Sequence, residues 1–583
     1  MKVPDIPEDV PLTGDQKQWL NGFFAGLHSQ MLVQKGTGRR SLNKASVTIL
    51  YGTQTGNSES VAYDAAAAAK SHGLGATVMD MDAVEVTALP AMENLLVITS
   101  TYGEGEMPDN AQALWNDIGQ ESAPRLENTR FSVLALGDTS YDTFCQAGVD
   151  WDRRLGELGA KRIYSRVDCD VDYEDAAVDW IDSVIPLLAS QSGIDAAEPA
   201  VIESVAKEKS KYNRKNPFPA KILVNRLLSK PGSTKEIRHY ELSLEDAELV
   251  YEPGDVLNVI PVNCPKLVDS IIKAIKCEGD EEEPIHGSPL VLRQALLERF
   301  EIKLPSKEFI IEIAKRSGDQ ELNGLLQAGD NNPLTAYLRG RDILDLLLQF
   351  PKVDLTAAEF LRLLKPLQHR SYSISSSIKK HPEEVHLTIA SVRYQSHGRH
   401  HKGVCSTYLA DLVEIGEPLR CFFTPNNVFR VPEDDNVAMI MVGPGTGIAP
   451  FRAFLEERDA RGAPGKNWLL FGDRNAAFDF IYENEMKSMR TQGLITRLDL
   501  AFSRDQAEKI YVQHRMHENS REIFAWLEEG GYFFVCGDAY QMAKDVDKAL
   551  HDIVARDGNM KMDEAMEYIK HLKKEKRYVR DVY

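Results

Sequence analysis

The sequence predicts a multidomain α/β protein, in which two units of alternating strands and helices flank a β-rich unit. Three observations support this prediction. The chain has 583 residues, several times the length of a typical single domain. Apolar strand-like segments alternate with helix-like segments near both ends of the chain. Short β-like segments fill the middle and are interrupted by a helix-rich stretch, which indicates a barrel with an inserted helical subdomain.

The composition narrows the class of protein. A formal net charge of −20 disfavours nucleic acid as a partner, because backbone phosphates need a basic face. No run of about 18 apolar residues and no basic-then-apolar leader is present, so we expect a cytoplasmic protein with no membrane segment. The seven cysteines are scattered without a C-x-x-C pair. That spacing disfavours a disulfide framework, a structural zinc site or an iron–sulfur cluster, and we predict no metal ligands.

The order of the segments predicts the domain boundaries. The segment TGDQKQWLNGFFAGLHSQML has apolar residues near helical spacing, and is either a helix packed on the body of the protein or a partner-binding or self-association segment. A small, polar and then charged stretch after residue 188 is typical of a linker. The predicted units are an N-terminal extension (1–46), a first α/β unit (47–188), a linker (189–215), a β-rich unit (216–435) with a helical subdomain at about 262–365, and a second α/β unit (436–583).

The segment ILYGTQTGNSES, residues 49–60, predicts an anion site. An apolar strand ends here and a helix begins near Glu59, which places backbone N–H groups and hydroxyls at a helix N-terminus. No lysine occurs between residues 45 and 69, and the Gly-Lys-Ser/Thr ending of a triphosphate loop is missing. The pattern therefore favours a phosphate monoester held by amides and hydroxyls. An ordinary turn with polar caps is the alternative.

Two further loops strengthen the anion-site prediction. The next two strands end in TSTYGEGEMPDNA and LALGDTSYDTFCQAG, so all three loops meet at the carboxyl edge of one predicted sheet, where open α/β sheets bind ligands. Aromatic side chains beside a phosphate loop indicate a flat ring stacked between them. We predict a flavin mononucleotide (FMN) site that includes Tyr102, Gly103, Gly137, Asp138, Tyr141 and Phe144.

Two segments of the β-rich unit predict a second phosphate site. In LQHRSYSISSS, Arg370 and Tyr372 alternate on one face of a strand, so that the arginine can take a pyrophosphate while the tyrosine stacks or hydrogen-bonds. In HKGVCSTYLADL, residues 401–412, a glycine turn with Ser406 and Thr407 leads into a helix. A surface strand and a capped helix are the alternative interpretation.

The second α/β unit carries the pattern of a nicotinamide nucleotide site. In IMVGPGTGIAPFRAFLEER, three glycines between a strand and a helix let the backbone approach a pyrophosphate, namely Gly443, Gly445 and Gly447. In SRDQAEKIYVQ, Arg504 and Lys509 form a cationic cluster beside Tyr511 in an otherwise acidic protein. That cluster suits a 2′-phosphate with an aromatic ring for adenine. The alternative is a solvated helix start.

Several of these segments resemble the diflavin reductases, and within them the flavoprotein (alpha) components of NADPH-dependent sulfite reductases. The resemblance is carried by LENTRFSVLALGDTSYDTFCQAG, RVDCDVDYEDAA, LTGDQKQWLNGFFAGL and the final RYVRDVY, and extends over nearly the whole chain. It implies a flavodoxin-like domain, a ferredoxin–NADP reductase-like β-barrel that binds FAD and contains a helical subdomain, and a Rossmann-like NADP domain.

The resemblance also implies which residues contact each cofactor. For FMN they are Thr53, Gln54, Thr55, Gly56, Asn57, Ser58, Ser100, Thr101, Tyr102, Gly103, Leu136, Gly137, Asp138, Thr139, Ser140, Tyr141, Asp142, Thr143, Phe144 and Cys145. For FAD they are Arg370, Ser371, Tyr372, Ser373, Thr388, Ile389, Ala390, Tyr394, Gly403, Val404, Cys405, Ser406 and Tyr583, which covers the flavin ring. For NADPH they are Ser503, Arg504, Lys509, Ile510, Tyr511, Val512, Gln513 and Asp545. The implied catalytic residues, which orient nicotinamide and stabilise charge during hydride transfer, are Ser373, Cys536 and Asp581.

The same resemblance implies electron flow from NADPH to FAD to FMN and then to a haem and iron–sulfur (beta) subunit that reduces sulfite to sulfide. Residues 47–190 contain 24 acidic against 8 basic residues, so this unit holds −16 of the net charge of −20 and suits a basic partner surface. The alternatives are a reductase for another haemoprotein such as a soluble monooxygenase, an oxidase or quinone reductase, and a redox-inactive flavin-binding scaffold. The intact nicotinamide motifs weigh against the last.

Overall fold

The computed structural model describes residues 46–191 and 211–583, apart from residues 104, 140–142, 172, 246, 286–287 and 328–331. The predicted N-terminal segment, most of the predicted linker, and Ser140, Tyr141 and Asp142 lie outside the described residues. Among the described residues, no helix has both the length and the apolar character that crossing a membrane requires.

The first unit is a parallel sheet with helices on both faces. Its strands are β1 (Ser46–Gly52), β2 (Gly75–Asp80), β3 (Asn94–Ser100), β4 (Arg130–Leu136), β5 (Lys161–Arg162) and β6 (Val167–Cys169). Its helices are α1 (Asn57–Ser71), α2 (Gln112–Ile118), α3 (Gln146–Glu157) and α4 (Glu174–Gln191). The strand order is β2-β1-β3-β4-β5, with β6 also paired to β4. Since helices cover both faces, β3 is buried along nearly its whole length, which explains its continuous apolar sequence.

The second unit is an antiparallel barrel with a helical insertion. The barrel strands are β7 (Phe218–Leu227), β8 (Ile237–Ser243), β9 (Val256–Val259), β12 (Arg370–Ser373), β13 (Glu384–Ala390) and β16 (Pro418–Thr424). Two separate hairpins are formed by β10 (Glu282–Ile285) with β11 (Ser288–Val291) and by β14 (Arg393–Ser396) with β15 (Arg399–Lys402). The barrel order is β12-β9-β16-β7-β8-β13. A bridge between Ile374 and Leu387 brings the two edge segments together and closes the barrel.

The helical insertion has a hydrophobic core of its own. Its helices are α5 (Pro265–Ala274), α6 (Leu292–Glu298), α7 (Lys307–Ser317), α8 (Gln320–Gln327), α9 (Asn332–Leu338), α10 (Ile343–Gln349) and α11 (Ala357–Arg362), and α12 (Val404–Asp411) follows β15 in the barrel. Leu296, Phe309, Ile343 and Phe360 are fully buried in this core. Helix α10 begins with a capping box in which the Asp342 and Asp345 side chains each accept a hydrogen bond from the other's backbone N–H.

The third unit is a second parallel sheet. Its strands are β17 (Met439–Val442), β18 (Asn467–Asp473), β19 (Arg497–Phe502), β20 (Tyr532–Gly537) and β21 (Tyr578–Val582), in the order β19-β18-β17-β20-β21. Its helices are α13 (Ile448–Arg461), α14 (Ala476–Asp479), α15 (Glu483–Thr491), α16 (Val512–Glu518), α17 (Ser520–Glu528), α18 (Met542–Asp557) and α19 (Met562–Lys574). The strand order changes direction at β17, which opens a crevice at its carboxyl end, a common position for ligands.

Candidate functional site

The loop after β1 has the geometry of an anion-binding helix N-terminus. Helix α1 begins at Asn57, two residues earlier than the sequence predicts, because Gly56 takes a left-handed φ of 89° and turns the chain directly into the helix. The Gly56 N–H donates to Thr53 Oγ1 over 2.9 Å, and the Thr53 N–H donates to Asn110 Oδ1 over 2.8 Å. The loop is therefore held in place by its own residues and by the loop after β3.

The other two loops at this edge bring further predicted residues together. The Thr101 N–H donates to the carbonyl of Leu136 over 3.0 Å, and Thr139 donates to Asp170 through both its N–H and its hydroxyl. Tyr102, Gly103, Gly137, Asp138, Thr143 and Phe144 lie in these loops, whereas Leu136 is buried in the core. The Cys145 thiol donates to the carbonyl of Ala135, so its side chain faces the sheet rather than the edge.

The donor set at this edge fits a phosphate-bearing flavin. The hydroxyls of Ser58, Ser100 and Thr143 are buried and have no hydrogen-bond partner among the described residues. A buried hydroxyl without a partner costs about 1–3 kcal/mol, so three of them in the segments at this edge of the sheet indicate a polar ligand. The backbone N–H groups at the start of α1 add further hydrogen-bond donors to these hydroxyls.

The predicted second phosphate site joins β12 to the start of α12. Arg370 pairs with Glu301 over 2.9 Å and also donates to the carbonyls of Gln368 and His369, while Ser371 donates to Asn258 Oδ1 over 2.7 Å. Gly403 precedes α12. The Ser406 hydroxyl accepts a hydrogen bond from the Val392 N–H, and the Thr407 hydroxyl donates one to the Gly403 carbonyl.

The side chains around this site differ in exposure. Cys405, Ile389 and Thr388 are buried, and the Thr388 hydroxyl is 2.6 Å from the Tyr482 hydroxyl, whereas Ala390 is exposed. Ala390 and Val404 are therefore available mainly through their backbone. The Ser391 and Tyr240 hydroxyls are buried without a partner in the described part of the chain, which fits a polar ligand such as FAD between the barrel and α12.

The predicted nicotinamide nucleotide residues line one cavity of about 380 Å³ in the third unit. Ser503, Arg504, Lys509, Tyr511, Val512, Gln513 and Asp545 all belong to its walls, together with Gly445. Arg504 and Lys509 are exposed, and in the described ranges neither side chain has a hydrogen bond or ion pair. Two unpaired cations beside an exposed tyrosine fit the 2′-phosphate and adenine of NADPH. Ile510 lies next to them, partly buried in the core.

Gly443 and Gly447 explain how the backbone folds around this cavity. A Cβ atom on Gly447 would collide with the backbone of Cys536, and one on Gly443 would collide with the Gly447 carbonyl and the Phe451 ring. Both positions therefore require glycine so that the turn after β17 can lie against the end of β20.

Ser373, Cys536 and Asp581 meet from three different strands. The Ser373 hydroxyl donates to Asp581 Oδ2 over 2.8 Å, and the Cys536 thiol lies 3.8 Å from the same oxygen. Burial raises the pKa of Asp581, although hydrogen bonds from Ser373 and Cys536 favour its charged form. Burial also raises the pKa of the Cys536 thiol, so this cysteine stays protonated. The trio presents a hydroxyl, a thiol and a carboxylate at one point between the barrel and the third unit.

Tyr583 lies beside this trio. Its backbone N–H donates to the Gly537 carbonyl over 3.0 Å, and its hydroxyl is 3.0 Å from the Thr446 hydroxyl in the glycine-rich turn. The side chain is 59% exposed, so the ring has an open face next to the predicted nicotinamide position.

The sequence did not reveal several residues that shape these sites. Asp109 contacts Gln54 in the first loop, and its neighbour Asn110 holds Thr53. Lys235, from the turn between β7 and β8, lines the nucleotide cavity and pairs with Asp473. These residues lie in turns with no motif, and Lys235 is far from the nucleotide segment in sequence. Asp109 lies in TSTYGEGEMPDNA, one of the loops predicted to meet at the carboxyl edge, but that expectation did not single it out.

Comparison with known proteins assigns each unit. A flavodoxin model matches residues 49–180, an FAD binding domain model matches residues 210–408, and an oxidoreductase NAD-binding domain model matches residues 441–548. This order of domains, together with the three sites, defines a diflavin reductase, an NADPH-dependent oxidoreductase that uses FMN and FAD. The predictions of fold class, enzyme class and cofactors are confirmed.

The relatives identify the family more closely. A sulfite reductase (NADPH) flavoprotein alpha-component of Bacillus subtilis is 42% identical over 582 residues, covering 98% of this chain and 96% of the relative. Proteins with the same description from Vibrio cholerae and Mannheimia succiniciproducens are 40% and 39% identical, with at least 97% of this chain and 94% of each relative covered. The chain belongs to the family of sulfite reductase (NADPH) flavoprotein alpha-components.

Proposed function

We propose that this chain takes electrons from NADPH through FAD to FMN and delivers them to the haem and iron–sulfur subunit of a sulfite reductase, which reduces sulfite to sulfide. When bound, the flavins accept an electron pair from NADPH and release electrons singly, as metal centres require. The relatives are described as flavoprotein components of sulfite reductase, which supports this acceptor.

The observation that carries the electron path is the contact between the units. The Asn427 N–H of the barrel unit donates to the Thr55 carbonyl of the FMN loop over 3.1 Å. On the other side, Gln368 beside β12 donates to Thr139 over 3.2 Å. The edge of the first unit therefore faces the barrel along β12, the strand that ends at Ser373. This arrangement supports direct electron transfer from FAD to FMN within one chain.

The chain's own residues prepare the hydride step. Ser373 and Cys536 hold the Asp581 carboxylate at one point, and Gly447 keeps the turn after β17 close to Cys536. Tyr583 covers the same region and must move aside when a nicotinamide ring enters. Asp581 then offers a negative charge close to the ring that loses a hydride.

The acceptor is tested by mixing the purified chain, NADPH and sulfite with a haem and iron–sulfur subunit and measuring sulfide release. We expect sulfide only when both proteins and NADPH are present. A matched reaction contains a soluble haem monooxygenase in place of the subunit. Rapid reduction of the monooxygenase with no sulfide from the first mixture would contradict the proposed acceptor and favour the second.

Nucleotide selectivity gives an independent prediction. Replacing Arg504 and Lys509 together by alanine is expected to lower kcat/KM for NADPH by about 100-fold or more, because each of the two lost charge-assisted hydrogen bonds is worth about 1.5–3 kcal/mol. The value for NADH should stay within about twofold, since NADH has no 2′-phosphate. Steady-state kinetics with ferricyanide as acceptor measure both.

Lys548→Ala is the control for this prediction, because Lys548 is an exposed cation of the same unit that pairs with Asp552. It should leave both values unchanged. Equal losses with NADPH and NADH in the double variant would show that the two cations do not read the 2′-phosphate.

A further inference from the structure

A network of buried charges joins the helical insertion to the β14–β15 hairpin. Lys303 Nζ lies 2.7 Å from His401 Nδ1 and 3.2 Å from Asp342 Oδ2. Lys303, Asp342 and His401 are 9%, 1% and 2% exposed. Arg399 completes the network by donating to Asp342 Oδ1 over 2.6 Å and to Asp345 Oδ1 over 2.7 Å. Two elements far apart in sequence are thus held together by ionic contacts rather than by apolar packing.

The hydrogen bonds define the state of each group. A lysine ammonium only donates, so the contact of Lys303 with His401 Nδ1 favours the imidazole tautomer with its proton on Nε2, which lies 3.2 Å from the Ser396 carbonyl. Asp342 Oδ2 also lies 3.2 Å from His401 Nδ1. The two cations Lys303 and Arg399 balance the two carboxylates. The oxygen and nitrogen atoms of Asp342, Asp345 and His401 lie close enough to hold a metal ion, but the lysine and arginine already supply the positive charge. We therefore assign no cation to this cluster.

Such a network is a costly way to stabilise a fold, because every buried charge loses its hydration. Its position relative to Tyr394 offers a second role. Tyr394 and His401 are cross-strand partners in the hairpin, and their rings stack with centroids 4.9 Å apart and planes 5° apart. Lys303 Nζ is 5.4 Å from the centre of the Tyr394 ring. His401 stacks against the ring of Tyr394, and Tyr394 is 38% exposed, so part of its surface is accessible to a ligand.

We propose that Lys303 and His401 are positioning residues that hold the Tyr394 ring as a rigid platform for FAD. This inference rests on the proposed function, in which FAD is a cofactor, and on the contact between Tyr394 and FAD that the family resemblance implies. A ring fixed before the ligand arrives loses less conformational freedom on binding, which increases affinity. The helical insertion, through Lys303 and Asp342, then controls how tightly the barrel retains its cofactor. Neither Lys303 nor His401 contacts FAD in this proposal.

The test measures the affinity of the FAD-depleted protein for FAD by fluorescence titration. Lys303→Met and His401→Ala are each expected to raise the dissociation constant about tenfold, the size expected for loss of one aromatic stacking contact. His401→Gln keeps an acceptor for Lys303 but removes the ring, and should weaken FAD binding to a similar degree without unpairing the buried lysine. Lys303→Arg, which keeps the charge and a donor, should retain most of the affinity.

The matched control is His400→Ala. His400 is the neighbouring residue of β15, is exposed and contacts only Gln395 among the described side chains. This variant should bind FAD like the parent protein. At saturating FAD, the NADPH–ferricyanide rate per bound FAD should return to the parent value in Lys303→Met and His401→Gln, and their FMN content should be unchanged. Damage to the barrel as a whole would not be reversed by added FAD.

Tyr394→Ala separates this inference from the proposed function. If Tyr394→Ala weakens FAD binding but Lys303→Met and His401→Gln behave like His400→Ala, the positioning role is overturned and the proposed FAD site stands. If Tyr394→Ala leaves the affinity for FAD unchanged, Tyr394 is not part of the FAD site, and the proposed positioning role of Lys303 and His401 is wrong as well. If His401→Gln weakens FAD binding and saturating FAD does not restore the rate, the network has a general structural role and the proposal is wrong.

Discussion

Asp581→Asn is expected to slow NADPH-driven reduction of FAD by about 100-fold or more, the range in which a positioned charged group contributes to proton or hydride chemistry. Asp581 accepts a hydrogen bond from Ser373 and lies 3.8 Å from the Cys536 thiol. An asparagine keeps the size of the side chain but removes its charge. Stopped-flow measurement of the flavin absorbance after mixing with NADPH gives the rate, and the NADPH dissociation constant should change far less.

In Asp581→Asn, the pH dependence of the rate of FAD reduction is also expected to change. Burial raises the pKa of Asp581, so the carboxylate takes up a proton at a higher pH than an exposed aspartate does. If the charged form is the active one, the rate falls as the pH is lowered through this raised pKa. In Asp581→Asn this acid limb should be lost. Asp552→Asn, at a partly exposed aspartate paired with Lys548, is the control and should keep both the rate and the acid limb. An unchanged acid limb in Asp581→Asn would rule out this role for the carboxylate.

Asp109→Arg is expected to detach the first unit from the third. Arg580 of β21 donates to Asp109, with Nε 3.1 Å from Asp109 Oδ2, and only 15% and 34% of the two side chains are exposed. Burial opposes ionisation of Asp109, but the Arg580 guanidinium lowers its pKa overall. Reversing one charge of this pair should cost about 1–3 kcal/mol of contact between the units, or about 5- to 100-fold in the closed population.

The readouts distinguish separation of the units from damage to either one. In Asp109→Arg at saturating FMN, reduction of FMN by NADPH should slow, while the FAD-level rate with ferricyanide stays at the parent value. FMN is added to saturation because Asp109 also contacts Gln54 of the first loop. Small-angle X-ray scattering should show a larger radius of gyration. The double variant with Arg580→Asp restores an opposite pair and should recover the compact form. Glu59→Lys breaks the more exposed pair with Lys576 and should have a smaller effect. Equal effects of the two single variants would contradict the special role of Asp109.

The sequence predicts the two parallel sheets well, for a physical reason. Strands that are buried on both faces read as continuous apolar segments, as in NLLVITS of β3 and NWLLFGD of β18. The loops that follow them contain glycines and hydroxyl side chains, which mark the carboxyl edge. Resemblance to known proteins then placed Ser373, Cys536 and Asp581 in one site. Nothing in their spacing alone would have joined positions on three separate strands.

The features that the sequence does not predict depend on contacts between residues far apart in the chain, and such contacts leave no local sequence pattern. Lys303 reads as an ordinary charged residue after a helix, and His401 as one of two adjacent histidines in a strand. Their meeting requires the helical insertion to fold back onto the hairpin, which periodicity does not predict. Arg370 shows the opposite case: the sequence predicts an anion ligand, and the structure also gives it Glu301 as a fixed partner. Its assignment to FAD stays a prediction.

Strand β21 carries residues with different tasks on its two sides. Successive residues of a strand point in opposite directions, and here Arg580 reaches the first unit while Asp581 reaches Ser373. The five residues of this strand therefore join the contact with the first unit to the contact with Ser373 of the barrel. A shift of β21 near Tyr583 is therefore expected to change the Arg580–Asp109 contact with the flavodoxin-like unit as well.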